Sequence, residues 1–151
     1  MPTLYLDMNI YKRPFDDQRQ MRIRLETVAI TMIFALIDDG QLSARWSFVL
    51  DYENSRDPVP ERREFVQYLS RCCEATIAPD ESIRELARRL SETYQIRGRD
   101  ALHLAIAETS GCDYLVTCDD RLVRQGETLA GAGSANCARD QPCGFRAGGV
   151  R

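Results

Sequence analysis

The sequence predicts an α/β domain with a mostly parallel sheet, and three observations carry that expectation. Short apolar runs alternate with helical periodicities along the chain, the pattern of strands joined by crossover helices. Tyr114-Leu115-Val116 shows no polar alternation, as expected of a strand covered on both faces. Just before it, Ala101, Leu102, Leu104, Ala105, Ile106 and Ala107 make a segment that is apolar almost all round, which predicts a buried helix. That helix is read from Asp100, Gly111 stops it, and the strand covers residues 113–117. Acids mark both ends of this unit: Asp100 at the helix start, Asp119 and Asp120 past the strand. α/β folds build their sites at that edge of a sheet.

The other elements follow in order. Residues 3–6 form a short apolar strand ending at Asp7. The next segment, D-M-N-I-Y-K-R-P, reads as a loop with one helical turn before Pro14 breaks it. Met21, Leu25, Val28, Met32, Ala35 and Leu36 recur at three- and four-residue spacing, which predicts a long helix over residues 18–39 with Gly40 as its stop. A second strand is expected over residues 42–46, then a short helix in S-F-V-L-D-Y-E-N-S-R. Pro60 suits the first turn of a helix over residues 61–72. A third strand follows over residues 74–78. The segment P-D-E-S-I-R-E-L-A-R-R-L-S-E-T-Y then carries Ile83, Leu86 and Leu90 on one face, as a helix should.

With 151 residues the chain is long enough for one domain with a real core. Its longest apolar segment, residues 28–37, is broken by Thr31 and too short to span a bilayer. The first residues, M-P-T-L-Y-L-D, lack a basic region and a long apolar run, so no secretory signal is read and a cytoplasmic protein is expected. Cys72, Cys73, Cys112, Cys118, Cys137 and Cys143 include no C-x-x-C pair, and His103 is the only histidine. Free thiols are therefore favoured over a zinc site. The net charge of −3 neither supports nor excludes nucleic acid. Of 20 basic residues only Lys12 is a lysine, and arginine suits bidentate contact with phosphate.

Four acids stand out: Asp7 after the first strand, Glu53 in the helix after the second, Asp100 before the buried helix and Asp119 after its strand. Brought together they would repel and their pKa values would rise. A hard divalent cation relieves that, and oxygen ligands favour Mg²⁺ or Mn²⁺. At this point L-Y-L-D-M-N, V-L-D-Y-E-N-S, R-D-A-L-H-L-A and L-V-T-C-D-D-R-L resemble the motifs of PIN-domain nucleases, VapC-type toxin ribonucleases among them. The resemblance covers about residues 4–123, and its most specific part is R-D-A-L-H-L-A followed by G-x-D-Y-L-V-T-x-D. It implies a three-layer PIN-like domain whose central, mostly parallel sheet of four (normally five) strands is flanked by helices. It also implies a metal-dependent endoribonuclease, toxin-like of a toxin–antitoxin pair, with Asp7, Glu53, Asp100 and Asp119 as metal-binding and catalytic acids. Asn9 and Thr117 match the family's supporting polar residues.

Plainer readings stand beside these. Asp100 and Asp119 could each be a helix or turn cap, and Asp7 a loop acid. Asp120 is a candidate outer ligand, and Asp51 should face away from Glu53. Asp16, Asp17, Asp38 and Asp39 read as solvated charges. His103 reads as a satisfied core or supporting histidine ahead of a general base. Arg13, Arg97, Arg99, Arg121 and Arg124 are candidate RNA contacts or ordinary surface arginines. Trp46 and Tyr52 read as core residues ahead of base-stacking ones.

Residues 1–125 are thus expected to form the PIN-like domain and residues 126–151 an irregular Gly/Ala-rich tail, too poor in apolar periodicity to order itself. The family would place a strand, turn and helix there. Permitted codons for N-C-A-R-D-Q-P-C-G-F-R-A-G-G-V, read one nucleotide later, can spell I-A-R-E-I-N-P-V-D-F-V-R-E-V, so a frameshift between Gly126 and Asn136 is the proposed origin of the tail. Codons of the encoding DNA that cannot spell the shifted string would refute it. Expected partners are RNA, an antitoxin protein and a second copy of the chain through the long helix. The rival to a nuclease is a catalytically weak or inactive PIN-fold module that binds RNA or protein. A phosphoacceptor receiver domain ranks lower, because it needs a lysine at its last strand.

Overall fold

The structure, a computed structural model, describes residues 1–136 and 146–149. In chain order it contains β1 (Thr3–Leu6), α1 (Met8–Lys12), a 3₁₀ turn (Arg13–Phe15), α2 (Met21–Asp38), β2 (Ser43–Ser47), α3 (Phe48–Ser55), α4 (Pro60–Ser70) and β3 (Ala75–Ile77). These are followed by α5 (Glu81–Tyr94), α6 (Gly98–Thr109), β4 (Tyr114–Thr117), α7 (Asp120–Asn136) and β5 (Arg146–Gly149). The strands lie in the order β3-β2-β1-β4-β5, and every neighbouring pair is parallel. The chain winds outward from β1 through β2 to β3, then returns to β4 on β1's other side. The order therefore reverses between β1 and β4, and crevices at the carboxyl ends of strands form at such a reversal. Register places Leu6 opposite Val116, so Asp7 leaves its strand beside Thr117.

The predicted α/β fold and its parallel sheet are present. The segment 101–107 is buried as expected, with Ala101, Leu104, Ala105, Ile106 and Ala107 each at most 1% exposed. Gly40 and Gly111 end α2 and α6 at φ of 72° and 67°, a left-handed turn that a residue with a Cβ disfavours. The α6 helix starts two residues earlier than expected. Arg97 occupies its cap position without a side-chain bond, so Asp100 is not a cap. Among the described residues no helix is long and apolar enough to cross a membrane.

Three expectations need correction. The stripe that announced the long helix is its solvent face: Met21, Leu25, Val28 and Met32 are 55–62% exposed. The buried side of α2 carries Glu26, Ile30 and Ile37 instead, because a helix apolar on two sides can present either to the core. Tyr52 is exposed as well, with the Arg56 guanidinium 5.9 Å from its ring centroid, whereas Trp46 is buried and donates to Asp51 at 2.7 Å. Regular structure also does not end at Gly126. Helix α7 runs on to Asn136, since alanines sustain helix where glycines weaken it. Residues 146–149 pair with β4 as a fifth strand, a role that needs main-chain groups rather than apolar side chains. Residues 137–145, which belong to the segment downstream of the proposed frameshift, lie outside the described residues, and Cys137 and Cys143 with them. Cys72, Cys73, Cys112 and Cys118 are free thiols.

Candidate active site

Asp7 sits at the reversal point, where β1 gives way to α1. Its backbone N–H donates to Val116 of β4 at 2.9 Å, which ties the two strand ends together. Its carboxylate caps α1 by accepting from the Met8 N–H at 2.7 Å. The other oxygen accepts from the Thr117 hydroxyl at 2.8 Å and the Asn9 amide at 3.1 Å. Asn9 in turn accepts from the Cys118 N–H at 3.1 Å, so Asn9 and Thr117 lock the β1 and β4 ends around one carboxylate. Asp7 is 8% exposed. Burial raises its pKa, the His103 charge and the Thr117 bond pull it down, and Glu53 pushes it up again; the net shift is upward.

Glu53 reaches the same place from α3. That helix is capped by Ser47, whose hydroxyl accepts from the Leu50 N–H at 3.3 Å. His103, 2% exposed on α6, joins the two acids: its Nε2 donates to Glu53 at 2.6 Å and lies 3.6 Å from Asp7. Its Nδ1 meets the Tyr5 hydroxyl at 2.8 Å, and that hydroxyl meets Ser47 at 2.8 Å. Burial holds the Tyr5 pKa well above its ordinary value, so Tyr5 keeps its proton. For His103, burial pulls the pKa down, but the Glu53 bond and the charges of Asp7, Glu53 and Asp100 outweigh it, leaving a net rise.

Asp100 and Asp119 are tied to each other, and among the described residues the group of close ligand atoms is Asp7, Glu53 and His103 without them. The tie is Arg121, with one guanidinium nitrogen 3.3 Å from Asp100 and 3.8 Å from Asp119. Asp119 also accepts from the Arg121 N–H at 2.9 Å and caps α7, while its own N–H donates to Thr117 at 3.0 Å. The plain reading of Asp119 as a cap therefore holds. Asp120 faces elsewhere, bound by Arg22 of α2 through contacts of 2.9 and 2.8 Å. Of the candidate arginines, Arg99 lies 3.7 Å from Glu53, Arg97 and Arg124 are exposed, and Arg13 is engaged with Glu26 and Asp16.

One ligand atom from each of Asp7, Glu53 and His103 lies within 4.8 Å of the others. Because His103 already spends both ring nitrogens on protein partners, carboxylate oxygens are the groups left for a cation. Such a donor set suits a hard divalent ion, and the upward shift of Asp7 marks an acid that a cation would relieve. Sequence reasoning missed Tyr5 and Ser47. One signal was available: Tyr5 and Asp7 are two apart in a strand and so share a face.

The PIN domain family model matches residues 41–127, more than half of the chain, with Glu53, Asp100 and Asp119 inside the match. This chain belongs to the PIN domain family. Its fold is similar to that in the crystal structure of VapBC2 from Rickettsia felis bound to a DNA fragment from their promoter, with a TM-score of 0.54 and 16% identity. The alignment covers 82% of this chain and 92% of that one. Among curated proteins no sequence matches.

Proposed function

We propose that this protein is a Mg²⁺- or Mn²⁺-dependent endoribonuclease, toxin-like of a toxin–antitoxin pair. The observation that carries this reading is the meeting of Asp7 and Glu53 on His103 at the carboxyl edge of β1 and β4, in a chain of the PIN family. Asp7, Glu53, Asp100 and Asp119 would hold the ion, which when bound supplies an activated water and offsets charge on the phosphoryl group. Asn9 and Thr117 fix the Asp7 carboxylate, and Tyr5 and His103 fix Glu53. Arg99 and Arg121, beside the acids, and the exposed Arg97 are suited to orient the phosphates of the RNA. A cytoplasmic setting belongs to the same reading.

By likeness to the VapBC2 complex, an antitoxin-like protein is the inferred partner. The exposed apolar stripe of α2 is a surface that such a partner would cover. A small reading frame next to the gene, whose product co-purifies with the chain, would support the pairing.

A second reading is a weak or inactive RNA- or protein-binding module. It is favoured by the Arg121 bridge, which already neutralises Asp100 and Asp119. Purified protein separates the two. Metal-dependent cleavage of single-stranded RNA is expected, lost in Asp7→Asn and in Asp100→Asn while circular dichroism stays unchanged. Wild-type-like cleavage by both variants would refute the site.

A further inference from the structure

The acids divide into two pairs, each with a basic side chain of the chain's own. His103 serves Asp7 and Glu53; it is 2% exposed and engaged at both ring nitrogens. Arg121 serves Asp100 and Asp119, and among the described residues no other ion pair reaches either acid. The two are held very differently. Arg121 is 40% exposed and spans both carboxylates with one nitrogen, Nη2, at 3.3 and 3.8 Å. The longer contact is no hydrogen bond, and Arg121 Nε has no hydrogen-bond partner among the described residues. Arg22 shows what a fixed arginine looks like in the same fold. It sets two nitrogens on Asp120 at 2.9 and 2.8 Å and its Nε on Glu26 at 2.6 Å. Thr117 and α6 join the two acid pairs. The Thr117 hydroxyl donates to Asp7 at 2.8 Å and accepts from the Asp119 N–H at 3.0 Å, and Asp100 lies three residues before His103 on α6.

We propose that Arg121 is a displaceable latch: its guanidinium closes Asp100 and Asp119 to a divalent ion, and a substrate phosphate draws it off, so that RNA and ion enter together. The inference rests on the ribonuclease reading and adds how the acids are kept closed when no RNA is bound. Two carboxylates gathered about one nitrogen repel each other once that nitrogen leaves. A phosphate offers the same guanidinium two parallel N–H···O bonds, a better partner than one nitrogen shared between two acids. With Arg121 on phosphate, Asp100 and Asp119 stand uncompensated, the state in which carboxylates attract a hard cation most strongly. The coupling is reciprocal: whatever draws Arg121 to phosphate raises the affinity for the ion, and the reverse.

The test measures two ligands on the full chain: Mn²⁺ by calorimetry without RNA, and a single-stranded RNA octamer by anisotropy in EDTA. A latch closed about nine-tenths of the time lowers the apparent ion affinity roughly ten-fold. Arg121→Gln should therefore bind Mn²⁺ about ten-fold tighter than wild type and bind RNA more weakly. Misfolding, or loss of a merely structural contact, does not move two ligands in opposite directions. Arg121→Met keeps the apolar stem and should behave like the glutamine variant, which guards against a fold lost to glutamine. Arg121→Lys keeps the charge and should stay close to wild type with Mn²⁺. Arg99→Gln removes an equal charge 3.7 Å from Glu53, yet should tighten Mn²⁺ clearly less than Arg121→Gln. No gain in Mn²⁺ affinity on losing Arg121, or an equal gain in Arg99→Gln, overturns the latch. Tighter Mn²⁺ with unchanged RNA binding overturns the hand-off to phosphate. RNA cleavage in Mn²⁺ is scored separately. Cleavage by wild type without the affinity gain refutes the latch and keeps the nuclease reading, whereas the gain without cleavage by any of the proteins upholds the latch and refutes the nuclease.

Discussion

The Tyr5 hydroxyl links three elements through two contacts. It meets Ser47 at the end of β2 and His103 on α6, each at 2.8 Å, and Tyr5 itself is fully buried in β1. Removing it strands partners that water cannot reach, and a buried group left unpaired costs about 1–3 kcal/mol. Tyr5→Phe preserves the ring and its packing, so the loss reports the hydroxyl alone. Urea unfolding of the variant should show a lower midpoint with an unchanged slope and a loss of about 1–2 kcal/mol. A midpoint equal to wild type would mean that His103 is held by Glu53 without help from Tyr5. The same residue shows why the sequence left it unread: a tyrosine in an apolar strand looks like core, and only its partners 42 and 98 positions away give its hydroxyl a task.

At the scale of elements, α2 shows where sequence periodicity stops informing. Its helical state was legible from the spacing of Met21, Leu25, Val28 and Met32, yet those residues face solvent. Ile30, 2% exposed, lies on the other side with Ile33 and Phe34 packed against the core. Two apolar stripes on one helix are equivalent to a periodicity argument, and only the packing partners break the tie. The consequence is measurable by paired substitutions. Ile30→Ala should destabilise the protein by about 2–4 kcal/mol, the usual range for a buried aliphatic truncation. Val28→Ala should stay within about 0.5 kcal/mol. A reversal of the two in denaturant unfolding would show that α2 packs by its Met21-Leu25-Val28-Met32 face. Helix α6, by contrast, was legible outright, because a segment apolar all round has no face to mistake.

At the scale of the whole molecule, Asp7 and Asp119 stood out in the sequence because each follows a strand, whereas Glu53 and Asp100 lie within α3 and α6 and were singled out by the motifs around them. The partition of the four into Asp7 with Glu53 and Asp100 with Asp119 was not legible, since it depends on His103 and Arg121 meeting them across the fold. Acid sensitivity depends on such long-range pairs too. The segment after Asp7 is held by ion pairs at both sides: Lys12 reaches Asp57 at 2.7 Å, and Arg13 Nε lies 2.8 Å from Glu26 Oε2 in an ion pair without hydrogen-bond geometry. Arg22 donates to the other Glu26 oxygen at 2.6 Å, and Arg62 lies 3.2 Å from Asp57. The Lys12 bond, with the Val59 N–H, holds the Asp57 pKa below its ordinary value. Burial pushes Glu26 up, but the bonds from Arg22 and Cys118 and the arginine charges outweigh it, so its pKa is lowered too. Folded values below unfolded ones mean stability that is present above the unfolded pKa values, about 3.9 and 4.3, and lost as pH falls through the lower folded values. These two groups should therefore add nothing to the pH dependence of unfolding between about pH 7 and 5, and should weaken the fold progressively below about pH 4. A Glu26→Gln, Asp57→Asn double variant should be less stable than wild type at neutral pH, with the gap closing in acid. Parallel stability curves for the two proteins across that range would show that neither carboxylate clamps the segment beside the site.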